Sequence, residues 1–318
     1  MHSKSGHLLG ALAGLIAAPV LAFLILKAGV DLTRIEAGVD LTRIEVFAVS
    51  PPGFPPMSVA GSASAALLLA AAAVITGLLA GTWRLSPLAP LAAGLPLVAL
   101  GLYAQFDYHG SALLLAHLPT SMGPSADELE RSGLWQVLGG TLLVSAAWPW
   151  RWTGKPAPSF RPERGLLGVP IGVVAFADLW YLLQLANPLG YATVVFAHHL
   201  PHVAYLNLLP QLAAAVVLGT LAAARWVSPI AAAIAGLPLL VIGLLLVLVP
   251  VDAQHWIARF TWSSRPIELG FGQSVGLGAF LLFGGLLATS AVLPWRWRQP
   301  SSSPAPGAGD DAPVSEVV

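Results

Sequence analysis

Asp178 is the one ionisable residue well inside a long apolar run, in the stretch Val173-Val174-Ala175-Phe176-Ala177-Asp178-Leu179-Trp180-Tyr181. A charge at the centre of a membrane-spanning helix costs about 2.5–3.5 kcal/mol on insertion scales, so such a residue is a functional-site hypothesis by default. Tyr181 lies one turn further on, Trp180 is adjacent, and no Lys or Arg sits deep in another apolar run to neutralise the carboxylate. Two chemistries fit: reversible binding of a proton or cation during transport or sensing, or a carboxyl that hydrogen-bonds a neighbouring helix.

A second candidate set is imidazole-rich. His198 and His202 stand four residues apart in His198-His199-Leu200-Pro201-His202, and His255 follows Asp252 by three. Imidazoles beside carboxylates suit a first-row divalent metal, so His198, His199, His202, His255 and Asp252 are the candidate ligands. Pro201 interrupts the helical spacing, and H-E-x-x-H is absent. His109 and His117, with Asp107 at the place matching Asp252, complete the group. Apart from that metal no cofactor is expected.

A third feature is the pair Gly94-Leu95-Pro96 and Gly236-Leu237-Pro238, each in mid-run. Proline lacks an N–H and kinks a helix, so Pro96 and Pro238 free the carbonyls of Ala92 and Ile234. Such carbonyls bind cations in some transporters, and packing satisfies them in many other spans. The chain has no cysteine, which excludes disulfides, thiolate metal sites and cysteine nucleophiles. A Walker A loop, a kinase set and a Gly-x-Ser-x-Gly elbow are also absent, so no enzymatic reading has residues to rest on.

The elements that must position these residues are membrane helices. With 56% hydrophobic and 9% charged residues and a mean hydropathy of +0.77, the chain exceeds what a water-soluble fold can bury. Crossing roughly 30 Å of hydrocarbon takes about 20 apolar residues. Runs of that kind lie near 8–27, 60–82, 86–105, 133–150, 165–186, 205–224, 229–250 and 272–293, which predicts about eight transmembrane helices. Net charge is zero and no basic stripe occurs, so the expected partners are the bilayer and other membrane subunits, not nucleic acid.

The halves match. Pro149-Trp150-Arg151-Trp152 recurs 145 residues later as Pro294-Trp295-Arg296-Trp297, preceded in register by Gly139-Gly140 and Gly284-Gly285. Leu8-Leu9-Gly10 with Gly14 matches Leu166-Leu167-Gly168 with Gly172, an offset of 158 that pairs Val20 with Asp178. The sequence therefore predicts two four-helix repeats, 1–152 and 165–298, joined by a linker at 153–164 and followed by a disordered tail at 299–318. Four helices per repeat make the halves parallel. The first run, preceded by Lys4, has the look of a secretory signal, but its counterpart in the second half predicts that it stays.

With the N-terminus inside, nine Lys and Arg fall on the inner side and six outside, which predicts cytoplasmic N- and C-termini. Arginine outnumbers lysine twelve to three beside abundant Ala, Gly and Pro, a bias that predicts a GC-rich bacterium and its plasma membrane. Residues 28–36 and 37–45 are a perfect tandem copy of AGVDLTRIE, expected to lie in the first outer loop.

A four-plus-four outline with parallel halves is similar to that of haem A synthase. That family places paired haem-ligating histidines at the ends of helices within each bundle. Here the second, fourth, sixth and eighth runs contain no histidine and the chain has no cysteine pair, so the resemblance implies no haem site. Three functions remain as expectations. The lead is a non-enzymatic component or regulator of a membrane complex. The others are a small-solute or proton-coupled transporter using Asp178, and an outer-face metal- or cofactor-binding membrane protein.

Overall fold

The computed structural model describes residues 4–45, 59–81, 86–106, 133–148, 162–196, 201–224, 229–248 and 278–292. Among these residues there are eight helices and no strand: α1 Lys4–Glu45, α2 Val59–Gly81, α3 Leu88–Phe106, α4 Leu134–Ala146, α5 Pro162–Phe196, α6 Pro201–Ala224, α7 Pro229–Leu248 and α8 Ala279–Val292. Long uncharged Ala/Leu runs leave the backbone no partner but itself in an apolar medium, and the helix satisfies it within one segment. Five of the eight contain a stretch long and apolar enough to cross a membrane: Ser5–Leu32, Ala63–Gly81, Leu88–Phe106, Leu166–Leu183 and Pro229–Leu248. Leu134–Ala146, Leu208–Ala223 and Ala279–Val292 are shorter apolar helices.

One expectation is corrected. Residues 28–45 do not form a loop; α1 runs unbroken through both copies of the nonapeptide to Glu45. The copy has no proline, and its Ala, Leu, Arg and Glu are strong helix formers, so a single Gly per copy does not stop propagation. Being charged only excluded these residues from the apolar run, not from the helix. α5 also continues past its apolar stretch, to Phe196.

The helices pack in an interlocking order. α1 lies against α2 and α3, and α3 against α4; α5 lies against α6 and α7, and α7 against α8. The main contacts between these groups are α4 on α6 and α8 on α2. The shared core is built from Leu21, Leu69, Leu138, Leu142, Leu179, Leu218, Leu239, Phe280 and Phe283, all essentially inaccessible. The apolar stretches of α1 and α5 are the most peripheral, 28% buried each against 50% for α2. They expose Leu8, Leu12, Ile16, Ile171, Val173 and Val174, a surface compatible with lipid and costly in water.

Glycines set how closely the helices approach. A Cβ on Gly139 would come within 2.7 Å of the Gly94 carbonyl on α3, and one on Gly140 within 2.8 Å of the Ala215 side chain on α6. Two residues 100° apart on α4 thus serve two different neighbours at once. On α8, a Cβ on Gly284 would meet the backbone of Leu240 on α7, and one on Gly285 would come within 2.8 Å of Ala73 on α2. Gly133 and Gly278, at φ 69° and 62°, occupy the left-handed conformation just before α4 and α8, where a side chain would be strained.

Candidate functional site

The direction in which α5 presents Asp178 follows from its packing. Gly172, Ala175, Leu179 and Leu183 are buried and form its inner face. Ile171, Val174, Asp178 and Tyr181, spaced by three or four residues, form a stripe on the exposed side. Asp178 is therefore on the outside of the helix pack, about 18 Å along the helix from Leu166 at 1.5 Å per residue. Tyr181 is 50% exposed on the same stripe. Trp180 points the other way, stacked on Phe280 with ring centroids 5.2 Å apart, and anchors α5 to α8.

Asp178 is not on a smooth surface. It lines an open groove of about 500 Å³ between α5 and α6, with Pro170, Ile171, Val174 and Ala175 on one side and Val216, Val217, Thr220 and Leu221 on the other. The walls are apolar except for the Thr220 hydroxyl and the Asp178 carboxyl. Among the described residues Asp178 makes no hydrogen bond or ion pair. The groove thus combines an apolar trough with one acidic group.

The remaining sequence candidates are not brought to this place. Pro96 and Pro238 are exposed on α3 and α7, facing away from the neighbouring helices, and both helices continue through them. The side chains of Ala92 and Ile234, one turn earlier, pack near Gly14 of α1 and Gly172 of α5. His198, His199, His255 and Asp252 lie outside the described residues, as do His109, His117 and Asp107. His202 is in the first turn of α6, at a position where the side chain is not described. No group of three or more potential metal ligands occurs among the described residues.

Two polar clusters escaped the sequence reading. Lys27 and Asp31 form an ion pair at 3.2 Å within α1, and Ser64 of α2 donates a hydrogen bond of 2.6 Å to the other oxygen of Asp31. The i, i+4 spacing would have revealed the pair had residues 28–45 been read as helix. The second cluster is carboxamide-rich. Gln136, 4% exposed at the start of α4, donates through Nε2 to the Gly101 carbonyl at 2.6 Å and to Gln105 Oε1 at 3.0 Å. Gln211 of α6, 1% exposed, lies against Gly133, one turn before Gln136. Of the other buried hydroxyls, Thr76, Thr141, Ser145 and Ser290 each bond a carbonyl of their own helix, and the Ser86 Oγ has no partner among the described residues. The Gln136 carboxamide, by contrast, reaches across helices from a buried position.

No family model, curated protein or solved structure matches the chain, so the reading of its function rests on this geometry.

Proposed function

We propose that this protein is a non-enzymatic component or regulator of a membrane complex in a bacterial plasma membrane, both termini cytoplasmic, built as two parallel four-helix repeats. The observation that carries the functional part is the exposure of Asp178 in the α5/α6 groove. A carboxylate facing lipid is disfavoured by about 2.5–3.5 kcal/mol at mid-depth. A transmembrane helix of another subunit that fills the trough and brings a Lys, Arg or other donor to that depth removes the penalty and buries the apolar walls. The groove is the docking surface and that basic helix is its occupant.

The repeat is supported by contacts that recur at fixed offsets. Gly140 faces Ala215 as Gly285 faces Ala73, and Gly219 faces Val144 as Gly77 faces Thr289. Gly14 approaches the Ala89 carbonyl as Gly172 approaches that of Ala231. Each partner is displaced by 142, 145 or 158 residues according to its helix, the displacement that the sequence motifs carry. The reciprocal pairing of α4 with α6 and α8 with α2 is what a two-fold axis between the halves requires. Transport through Asp178 gains less support, because the residue lies on the outer face of α5 and not in either contact between the halves.

The test is photocrosslinking in native membranes. A benzoylphenylalanine at Val174 or Val216 should give one protein adduct whose transmembrane segment carries a basic residue, and Asp178→Ala should abolish it. The same probe at Leu12 or Leu245, exposed elsewhere, serves as control. Adducts to lipid alone at the groove positions, or a protein adduct indifferent to Asp178→Ala, would sink the proposal.

A further inference from the structure

We infer that the outer end of the α3/α4 contact, beside α6, is a binding site for a small neutral hydrogen-bond donor, water in the simplest case, held on Gln136 Oε1. The orientation of the carboxamide is fixed, because its Nε2 is engaged by two acceptors, the Gly101 carbonyl and Gln105 Oε1. Its Oε1 is then turned into the protein, buried and with no partner among the described residues. A buried acceptor in apolar surroundings keeps its place when a donor reaches it, and an internal water does so where several polar groups converge. Gln105, Gln136 and Gln211 supply that convergence within one turn of α4. A Cβ on Gly101 would lie 2.6 Å from Gln136 Oε1, so the glycine is what lets the carboxamide itself sit there.

The chemistry selects a neutral donor over a cation. The first turn of α4 begins after Gly133, which brings the positive end of that helix to the same spot. The described cluster holds carboxamides and no carboxylate.

Packing alone does not call for these groups. At the matching contact of the second half, the backbone of Leu281 approaches Gly243 where the side chain of Gln136 lies against Gly101, and the Leu69 side chain lies against Gly278 where that of Gln211 lies against Gly133. The second half closes both positions without a carboxamide, so helix packing does not demand glutamine there, and the glutamines distinguish one half from the other. Only this comparison rests on the repeat proposed above; the orphaned oxygen of Gln136 does not.

X-ray footprinting of the full chain in lipid nanodiscs tests the site, because irradiation makes hydroxyl radicals from water held in place. Leu97 and Trp135, neighbours of Gly101 and Gln136, are each 2% exposed, and Leu239 on α7 is 0% exposed. The expected result is strong labelling of Leu97 and Trp135 but not Leu239, with the label lost in Gln136→Leu. Should Leu97 and Trp135 stay unlabelled, a small neutral adduct in native mass spectrometry, missing from Gln136→Leu, identifies a solute as the donor and supports the site. Neither label nor adduct, or a label that survives Gln136→Leu, overturns it. Gln136→Met replaces the leucine variant if that chain fails to fold. Labelling of the unaltered chain reads the site even if the repeat proposal fails.

Discussion

Asp178 was legible by type and depth but not by direction. Its neighbours are apolar all round α5, so periodicity gives no inward face; only packing of Ala175, Leu179 and Leu183 against α6 and α7 sets the rotation. Replacing it by Val, the residue at its counterpart Val20, should leave the isolated protein's stability within about 0.5 kcal/mol, as for an exposed position without partners. Reversible unfolding in mixed micelles measures this. A loss of several kcal/mol would mean that the carboxyl holds this chain together, contrary to a docking role. Ser64 offers the contrasting case. Its bond to Asp31 joins α1 to α2, and Ser64→Ala should cost about 0.6 kcal/mol, up to about 1.7, the range of interhelical hydrogen bonds in membranes. The same unfolding measurement checks it, and a zero effect would assign Asp31 wholly to Lys27. The carboxamide cluster stayed hidden because Gln105 and Gln136 sit at the ends of their apolar runs, where glutamine is ordinarily read as interfacial.

At the scale of elements, the apolar runs located the helices and misjudged their ends. Hydropathy reports which residues tolerate hydrocarbon; helix propensity continues into the charged nonapeptides of α1 without it. Pairs of spin-labelled cysteines four residues apart within 33–45, in a chain that has no cysteine of its own, should have backbone positions separated by about 6 Å along the axis at 1.5 Å per residue. A separation of about 13 Å, that of an extended segment, would contradict the helix. The motif pairs were more informative than hydropathy, and the structure gives their physical reason. Gly139 and Gly140 are adjacent because one is needed at α3 and the other at α6. Gly139→Leu should therefore wedge α4 off α3 and destabilise by about 1–3 kcal/mol or more, since backbone rather than a flexible side chain is in the way. A smaller loss in thermal denaturation would show that the helices separate easily there.

At the scale of the whole molecule, sequence identity between halves predicted a repeat but could not say which helices meet across it. Identity records ancestry, whereas contact depends on how α2, α4, α6 and α8 turn their small residues toward each other. The proposed two-fold makes a quantitative demand on those two seams. Gly140→Cys with Ala215→Cys, and Ala73→Cys with Gly285→Cys, place new thiols at equivalent separations, a Cβ at each glycine falling 2.8 Å from the facing alanine Cβ. Both pairs should be captured by a short bifunctional crosslinker in native membranes, and each should do so within one chain. Crosslinking of only one pair would break the equivalence of the seams and the two-fold with it. Crosslinking between chains would mean that α2 and α8, or α4 and α6, meet across an oligomer. The hydrogen bonds of Gln136 join α4 to α3 and not to α6, so Gln136→Ala is expected to leave capture of both pairs unaltered; a change confined to the 140–215 pair would show that the α3 and α6 contacts of α4 are coupled.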